Sequence, residues 1–170
     1  MVTATEAVIR KVLDDSGLAY EIIPCDPELA DTAVFCEHYG YPLALSANTI
    51  IVKGKTGGER FVGCVVLATT RLDVNKVVRK RLGARRVSFA SAEETKAITG
   101  MELGGVTPLA LPADLPLWVD QRVMQQDYVI LGGGNRFSKI KVAPEIFLQT
   151  PETTVIEDLA TEPQKRNQEL

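Results

Sequence analysis

The stretch Gly104-Gly105-Val106-Thr107-Pro108 combines residue types that could do chemistry without an ionisable side chain. Glycines let the backbone approach a ligand closely, and the proline fixes the end of the loop. Backbone N–H groups in such a loop can stabilise negative charge that develops on a carbonyl oxygen. A tight structural turn is the alternative interpretation, and the residues alone leave both open.

A second glycine-rich loop, Gly132-Gly133-Gly134, is followed by Asn135 and Arg136. Its glycines also allow close approach of a ligand, and Arg136 could hold a phosphate or carboxylate. Asp120, directly after an apolar strand, could accept hydrogen bonds from a ligand hydroxyl or amine. The alternatives are an ordinary turn with an exposed arginine, and an aspartate that caps a helix.

The segment from Arg71 to Arg86 is strongly basic, although the whole chain has a net charge of −3. Asp73 is the only acid in it, and its basic residues are Arg71, Lys76, Arg79, Lys80, Arg81, Arg85 and Arg86. A local positive patch of this kind suits a phosphate backbone. Solvated charge that complements the end of a helix is the alternative.

Several familiar kinds of site are not expected. The only histidine, His38, lies two residues from Cys36, with no second pair of ligands to complete a metal site and no partner group for nucleophilic catalysis. Gly54-Lys55-Thr56 lacks the leading glycine of a phosphate-binding loop, and Phe137 occupies the third glycine position of a dinucleotide motif. We therefore expect neither a metal nor a cofactor.

The elements that must position these loops alternate irregularly between strands and helices. Thr49–Lys53 and Arg60–Leu67 are rich in β-formers and are joined by glycines, which predicts a hairpin. A helix is predicted from Leu72 to Leu82, capped by Asp73 and ended by Gly83. The further predicted strands are Arg86–Phe89, Leu117–Val119, Tyr128–Leu131 and Ser138–Val142. This order predicts an α+β fold with a mixed sheet.

Length and composition predict a single globular domain. The chain has 170 residues, of which 45% are hydrophobic and 24% charged. No apolar run approaches the ~20 residues that cross a bilayer, and the amphipathic N-terminus does not have the pattern of a signal peptide. We expect a cytoplasmic protein without a membrane contact, with its domain in residues 1–156 and a polar, frayed tail in residues 157–170.

The ordered set of motifs resembles the YbaK and prolyl-tRNA-editing family, which includes domains associated with prolyl-tRNA synthetase. The matching segments occur in family order over about residues 5–150. They are Asn48–Val52, Leu72–Gly83, Gly104–Pro108, Trp118–Asp120, Gly132–Arg136 and Ala143–Glu145. The resemblance implies a mixed, partly barrelled β-sheet with flanking helices.

The resemblance also implies hydrolysis of the ester between a wrong amino acid and the tRNA 3′ end, with Ala- or Cys-tRNA for proline as the expected substrates. It places catalysis on Gly104, Gly105, Val106, Thr107 and Pro108. It places substrate binding on Asn48, Asp120, Gly132, Gly133, Gly134 and Arg136. The tRNA acceptor end would contact Lys76, Arg79, Lys80, Arg85 and Arg86, and an aminoacyl-tRNA synthetase is a further expected partner.

One family position differs in this chain. The family usually has a lysine at the start of the first hairpin strand, and Asn48 stands there. Lys53 lies five residues on, so it faces the other side of a regular strand. A catalytically inactive relative that binds tRNA or another ligand is therefore the alternative function, and a different small aminoacyl or nucleotide ligand is a third.

Overall fold

The strands in this computed structural model, which describes residues 3–56 and 58–162, form sheets of five, three and two strands. The five-stranded sheet contains β2 (Ala47–Lys55), β3 (Glu59–Leu67), β5 (Arg86–Phe89), β6 (Leu117–Asp120) and β9 (Thr153–Ile156). Its order is β5-β2-β3-β6-β9, and β3, β6 and β9 run parallel while the β2 pairs are antiparallel. The predicted hairpin and mixed sheet are confirmed. Residue 57 lies outside the described residues.

The three-stranded antiparallel sheet has the order β1 (Tyr20–Pro24), β8 (Ser138–Val142) and β7 (Val129–Gly132). An isolated parallel bridge between Ser46 and Ile130 joins it to the start of β2. The largest core cluster, with Leu13, Val65 and Leu131 among its members, packs between these two sheets. The sheets therefore meet at one corner without closing a barrel, which makes the fold a mixed α+β structure.

Five α-helices flank the sheets in the described part of the chain. They are α1 (Ala4–Ser16), α2 (Thr32–Tyr39), α3 (Arg79–Leu82), α4 (Ala92–Thr99) and α5 (Gln121–Met124). Short 3-10 helices occur at Pro27–Leu29, Leu43–Leu45, Pro108–Ala110 and Pro144–Leu148. Helix α4 begins with a capping box, since the Ser91 hydroxyl accepts from Glu94 N–H and the Glu94 carboxylate accepts from Ser91 N–H, both at 3.1 Å. None of these helices is both long and apolar enough to span a membrane.

The helix predicted from Leu72 to Leu82 differs from the observed structure at its start. Leu72 belongs to the short strand β4 (Arg71–Leu72), which pairs with β10 (Ala160–Thr161). Asp73 then caps one π-helical turn (Val74–Val78), and α3 follows. Tertiary contacts explain why Leu72 is in a strand and not in the helix. Burial of Leu72 and the hydrogen bond from Asp73 N–H to Leu159 O at 2.9 Å favour pairing with the C-terminal segment.

The same pairing corrects the expected tail. Residues 157–162 are not frayed, because Leu159 and Ala160 are fully buried and Thr161 lies in β10. Leu159 and Ala160, the apolar residues of this polar segment, belong to the same buried cluster as Leu72 of β4 and Val78. Residues 163–170, the rest of the predicted tail, lie outside the described residues.

Candidate active site

A cavity of about 200 Å³ lies at the corner where the two larger sheets meet. The start of β2, strand β7, helix α2 and the loop after α4 form its walls. The lining residues that matter for chemistry are Asn48, Thr49, Gly104, Val106, Gly132 and Lys139. The volume is smaller than the roughly 300–1,000 Å³ of pockets for drug-sized ligands, so it suits a small group rather than a whole nucleotide.

The loop from Gly104 to Pro108 presents two N–H groups without a protein acceptor. Gly105 N–H donates to Glu102 O at 3.0 Å, Thr107 N–H to the Met101 sulfur at 3.4 Å, and Pro108 has no N–H. Among the hydrogen bonds of the described residues, Gly104 N–H and Val106 N–H have no acceptor, and both residues line the cavity. Val106 is buried and Gly104 is half-buried, and because unpaired N–H groups in protein interiors are rare, this pair is available to donate to a ligand oxygen.

The two glycine-rich loops pack directly against each other. Gly134 N–H donates to Gly105 O at 2.7 Å. A side chain at Gly105 would overlap the backbone of Asn135, and one at Gly132 would overlap the Val106 carbonyl. Backbone-to-backbone contact thus requires glycine at positions 105 and 132, and only Gly132 of the second loop lines the cavity. Gly133 and Gly134 do not line the cavity, and a side chain at Gly133 would overlap Ser138.

Arg136 braces this arrangement instead of lining the cavity. Its guanidinium donates to Leu103 O at 2.8 Å, to Pro27 O at 3.1 Å and to the Asp31 carboxylate at 3.3 Å. These contacts use the Nε and Nη1 donors of Arg136, so the group predicted to hold a ligand phosphate or carboxylate is directed mainly at protein acceptors outside the cavity. Thr107, in the loop from Gly104 to Pro108, is fully buried, and its hydroxyl caps the 3-10 helix at Pro108–Ala110, which is a structural role.

Asn48, which the family resemblance assigns to substrate binding, lies on the cavity wall. Its amide oxygen accepts a hydrogen bond from the Thr32 hydroxyl at 2.6 Å, which leaves the amide NH₂ as the group available to a ligand. Its neighbour Thr49 also lines the cavity, and the buried Thr49 hydroxyl has no hydrogen-bond partner among the described residues. An unsatisfied buried hydroxyl costs free energy unless a ligand or water pairs with it.

Lys139, on β8, was missed by the sequence reasoning. Its side chain is 5% exposed, lines the cavity and donates from Nζ to Gly104 O at 2.9 Å. Burial is the main cause that lowers the pKa of Lys139 below the ordinary 10.5. The sequence Ser138-Lys139-Ile140-Lys141-Val142 alternates like a half-exposed strand, so nothing in it shows that helix α2 covers one lysine and not the other.

Asp120 lies away from the cavity and acts as a cap, the alternative that the sequence left open. Its carboxylate is 1% exposed and accepts from Arg122 N–H at 2.9 Å and from Ala160 N–H at 2.7 Å. The aspartate thereby holds the start of α5 and the C-terminal strand β10 together. Both oxygens face protein donors, so a role in shaping the amino-acid pocket has no geometric support.

The predicted basic residues form an exposed surface on the side of β5 and α3. Lys76, Arg79, Lys80, Arg85 and Arg86 are all exposed, and no salt bridge between described residues includes any of them. Lys53, in contrast, is paired with Glu94 at 2.6 Å and Glu59 at 3.0 Å, away from the cavity. Within residues 3–56 and 58–162, no group of three or more His, Cys, Asp or Glu side chains is placed to hold a metal.

Comparison with known proteins places this geometry in a family. The sequence model of the aminoacyl-tRNA editing domain matches residues 26–149. A protein of Enterococcus faecalis named "Putative Cys-tRNA(Pro)/Cys-tRNA(Cys) deacylase EbsC" is 26% identical over 129 residues, which is 76% of this chain and 76% of that protein.

Two solved structures share the fold. A putative trans-editing enzyme for prolyl tRNA synthetase matches with a TM-score of 0.75 at 19% identity, over 96% of this chain and 100% of that chain. A hypothetical protein matches with a TM-score of 0.78 at 24% identity, over 91% of this chain and 99% of that chain. These two structural matches, at low sequence identity, show a shared fold alone. The match to the sequence model of the editing domain spans more than half of the chain. The chain therefore belongs to the aminoacyl-tRNA editing domain family.

Proposed function

We propose that the protein hydrolyses the ester between a wrong amino acid and the 3′ end of a tRNA. The observation that carries the proposal is the pair of free donors, Gly104 N–H and Val106 N–H, beside a small cavity. When water attacks an ester, negative charge develops on the carbonyl oxygen, and fixed N–H donors stabilise that charge. Family membership supports the same reaction.

The chemistry requires little from the protein's side chains. Water adds to the acyl carbon, the bond between that carbon and the ribose oxygen breaks, and the ribose oxygen takes up a proton. An aminoacyl ester is already activated, so a positioned water, an oxyanion site and the neighbouring ribose hydroxyl of the substrate suffice. The protein's task is to hold the ester in place and to stabilise the transition state.

The size of the cavity favours a small aminoacyl group. About 200 Å³ must take the side chain and the ester, which supports Ala-tRNA or Cys-tRNA for proline as the substrates. A synthetase pocket discriminates against a smaller amino acid by only ~1–3 kcal/mol per missing methylene, so a second, size-selective hydrolase improves accuracy. The name of the Enterococcus faecalis relative includes Cys-tRNA(Pro), which supports this substrate class.

The basic surface and one exposed aromatic ring support binding of the tRNA end. On the sheet edge, Val52 of β2 pairs with Phe89, and Lys55 pairs with Arg86. Asn48 and Val52 share a face and lie four residues apart, about 13 Å along the strand. Phe89 is 59% exposed beside Arg71 and Lys76, a combination that suits a stacked base and its phosphate.

The proposal is tested by deacylation of mischarged tRNAs, led by Ala-tRNA(Pro) and Cys-tRNA(Pro), with Pro-tRNA(Pro) as the correctly charged control. Wild type should release alanine or cysteine faster than buffer alone and leave proline in place. The variant Asn48→Lys tests the family position that differs in this chain. If wild type has no deacylase activity and Asn48→Lys is active, the wild-type site binds its ligand but no longer hydrolyses it. If both proteins are inactive, the proposed reaction is rejected.

A further inference from the structure

Lys139 is a buried cation whose charge no described acidic side chain neutralises. The structure contains no salt bridge from Lys139 to a described residue, and the one hydrogen bond of its ammonium goes to Gly104 O at 2.9 Å. An ammonium has three N–H donors, so two remain available in the cavity. Burial of a charge without a partner is costly, which indicates a functional role for this side chain.

From this geometry we infer that Lys139 binds the acyl oxygen of the ligand, namely the ester carbonyl oxygen of the substrate and the carboxylate of the released amino acid. The inference rests on the proposed function and names a residue that acts in it. Gly104 connects the two kinds of donor, because its carbonyl accepts from Lys139 while its own N–H has no protein acceptor. An oxygen held by Gly104 N–H and Val106 N–H would lie in the cavity that the ammonium also lines.

The surroundings of Lys139 favour an acyl oxygen over a tRNA phosphate. The side chain is only 5% exposed, in a cavity of about 200 Å³, so a phosphodiester joined to two riboses would have to be buried with it. Exposed cations suited to phosphates lie instead on the basic surface around Lys76 and Arg86. A carbonyl oxygen enters the cavity uncharged and gains charge only as water attacks, where a fixed cation stabilises it most.

The groups around the ammonium keep it available for a ligand. Asp31 contacts Arg136 at 3.3 Å, so its charge is shared with the guanidinium. Cys25 and Cys36 also face Lys139 from the chain after β1 and from α2, and burial raises the pKa of the Cys25 thiol, so that thiol is neutral at pH 7. The Phe35 ring lies 5.6 Å from Nζ and supports the cation without occupying its donors.

The kinetic test compares Lys139→Met with Lys141→Met on the mischarged tRNA that wild type cleaves. Lys141 is on the same strand, but its ammonium lies over the Tyr128 ring outside the cavity. Lys139→Met should lower kcat by about 100-fold or more, the usual loss when one oxyanion donor is removed, and change KM by less than about 3-fold. Lys141→Met should stay within about 2-fold of wild type.

The pH profile separates catalysis from bracing of the Gly104 loop. After subtraction of spontaneous hydrolysis, wild-type kcat should fall at alkaline pH below the ordinary lysine range, as Lys139 loses its proton. Lys139→Arg keeps the charge to above pH 12, so it should retain more activity than Lys139→Met and show no alkaline loss. Equal kcat for Lys139→Met and wild type would overturn the inference while leaving the deacylase function intact.

If wild type cleaves no substrate, a binding experiment tests whether Lys139 contacts the carboxylate of an amino acid. In protein with ¹³C-labelled lysine, the ε-carbon signal of Lys139 is followed over pH with and without free L-alanine. A bound carboxylate should raise the pKa of Lys139, and Lys139→Met should lose at least about 10-fold in alanine affinity relative to Lys141→Met. An unchanged Lys139 titration would overturn the inference, whereas a shift without turnover would keep it and reject the deacylase function.

Discussion

The ammonium of Lys139 lies 2.9 Å from the carbonyl oxygen of Gly104, so one buried cation joins β8 to the loop that carries two free N–H groups. The contact connects stability to function. A charge in a cavity destabilises the folded protein, whereas the same charge suits an oxygen that becomes negative during hydrolysis. This relationship predicts that the site is maintained at a cost in stability.

Replacement of Lys139 by Met should raise the free energy of unfolding at pH 7 by about 1 kcal/mol or more, because an uncompensated charge leaves the interior. The pKa of Lys139 is lower in the folded state than the ordinary 10.5, so the unfolded chain binds more protons between these two values. Wild type therefore gains stability as pH rises through that window, and the advantage of Lys139→Met should shrink. Urea unfolding at pH 7 and pH 10 measures both effects. A variant less stable than wild type at pH 7 would show that the bond to Gly104 O outweighs the cost of burial.

Thr49→Val should leave stability unchanged or raise it by up to about 1 kcal/mol, because the Thr49 hydroxyl is buried without a partner. If that hydroxyl pairs with the substrate, kcat/KM should fall about 3- to 10-fold, the equivalent of one hydrogen bond. Thr32→Val is the matched control, because it removes the donor at 2.6 Å from the Asn48 amide oxygen and should destabilise the protein. Unfolding curves and deacylation rates of both variants would test this, and unchanged kcat/KM in Thr49→Val would exclude the contact.

Gly105→Ala should destabilise the protein by more than about 2 kcal/mol and abolish deacylation, because the added methyl overlaps the backbone of Asn135. Gly17→Ala is the control. Gly17 ends α1 at φ 74°, and a methyl there meets no atom within 4 Å, so only a backbone strain of about 1–2 kcal/mol is expected. Thermal unfolding of both proteins distinguishes the two cases. An active, stable Gly105→Ala would contradict the packing of the two loops.

Asp120→Ala should cost about 2–3 kcal/mol of stability, because Ala160 N–H and Arg122 N–H lose their acceptor. The ratio of activities toward Ala-tRNA and Cys-tRNA should stay the same, since Asp120 lies outside the cavity. Measurement of that ratio under conditions where the variant is folded tests the structural role. A changed ratio would instead support the pocket role that the family resemblance implied.

Phe89→Ala should raise KM for mischarged tRNA by about 5- to 150-fold and leave kcat unchanged, since loss of one stacked base costs ~1–3 kcal/mol. Phe137→Ala is the matched control, because Phe137 is also exposed, at 62%, but lies on the far side of the glycine loops. Steady-state kinetics at fixed salt concentration measure the effect. Equal KM values for the two variants would place the tRNA elsewhere.

Local sequence signals predicted most of the fold. The β2–β3 hairpin and the strands Arg86–Phe89 and Ser138–Val142 are found where the pattern places them, because β-branched runs and glycine turns act over a few residues. Two predictions were wrong for one shared reason: the start of the basic helix at Leu72, and the frayed state of the C-terminal segment in residues 157–162. Leu72 pairs with Ala160, and a contact between segments 88 residues apart leaves no local signal.

The site was predictable only in part, for a similar reason. Gly104 and Asn48 stand out by residue type and family position, and the structure brings them together at one cavity. Lys139 and Thr49 were missed because their roles depend on which strand face is covered. Arg136 and Asp120 have the residue types of ligand-binding groups, but Arg136 donates from Nε and Nη1 to protein acceptors outside the cavity, and both Asp120 oxygens accept from protein donors.

The most direct test of the central claim is hydrolysis of Ala-tRNA(Pro) or Cys-tRNA(Pro) by wild type in water enriched in ¹⁸O, with mass spectrometry of the released amino acid. We predict release well above the buffer rate, with one ¹⁸O atom in the carboxylate, because water attacks the acyl carbon. Release no faster than in buffer would contradict the proposed hydrolysis, and so would fast release without the label, which would indicate transfer to another acceptor.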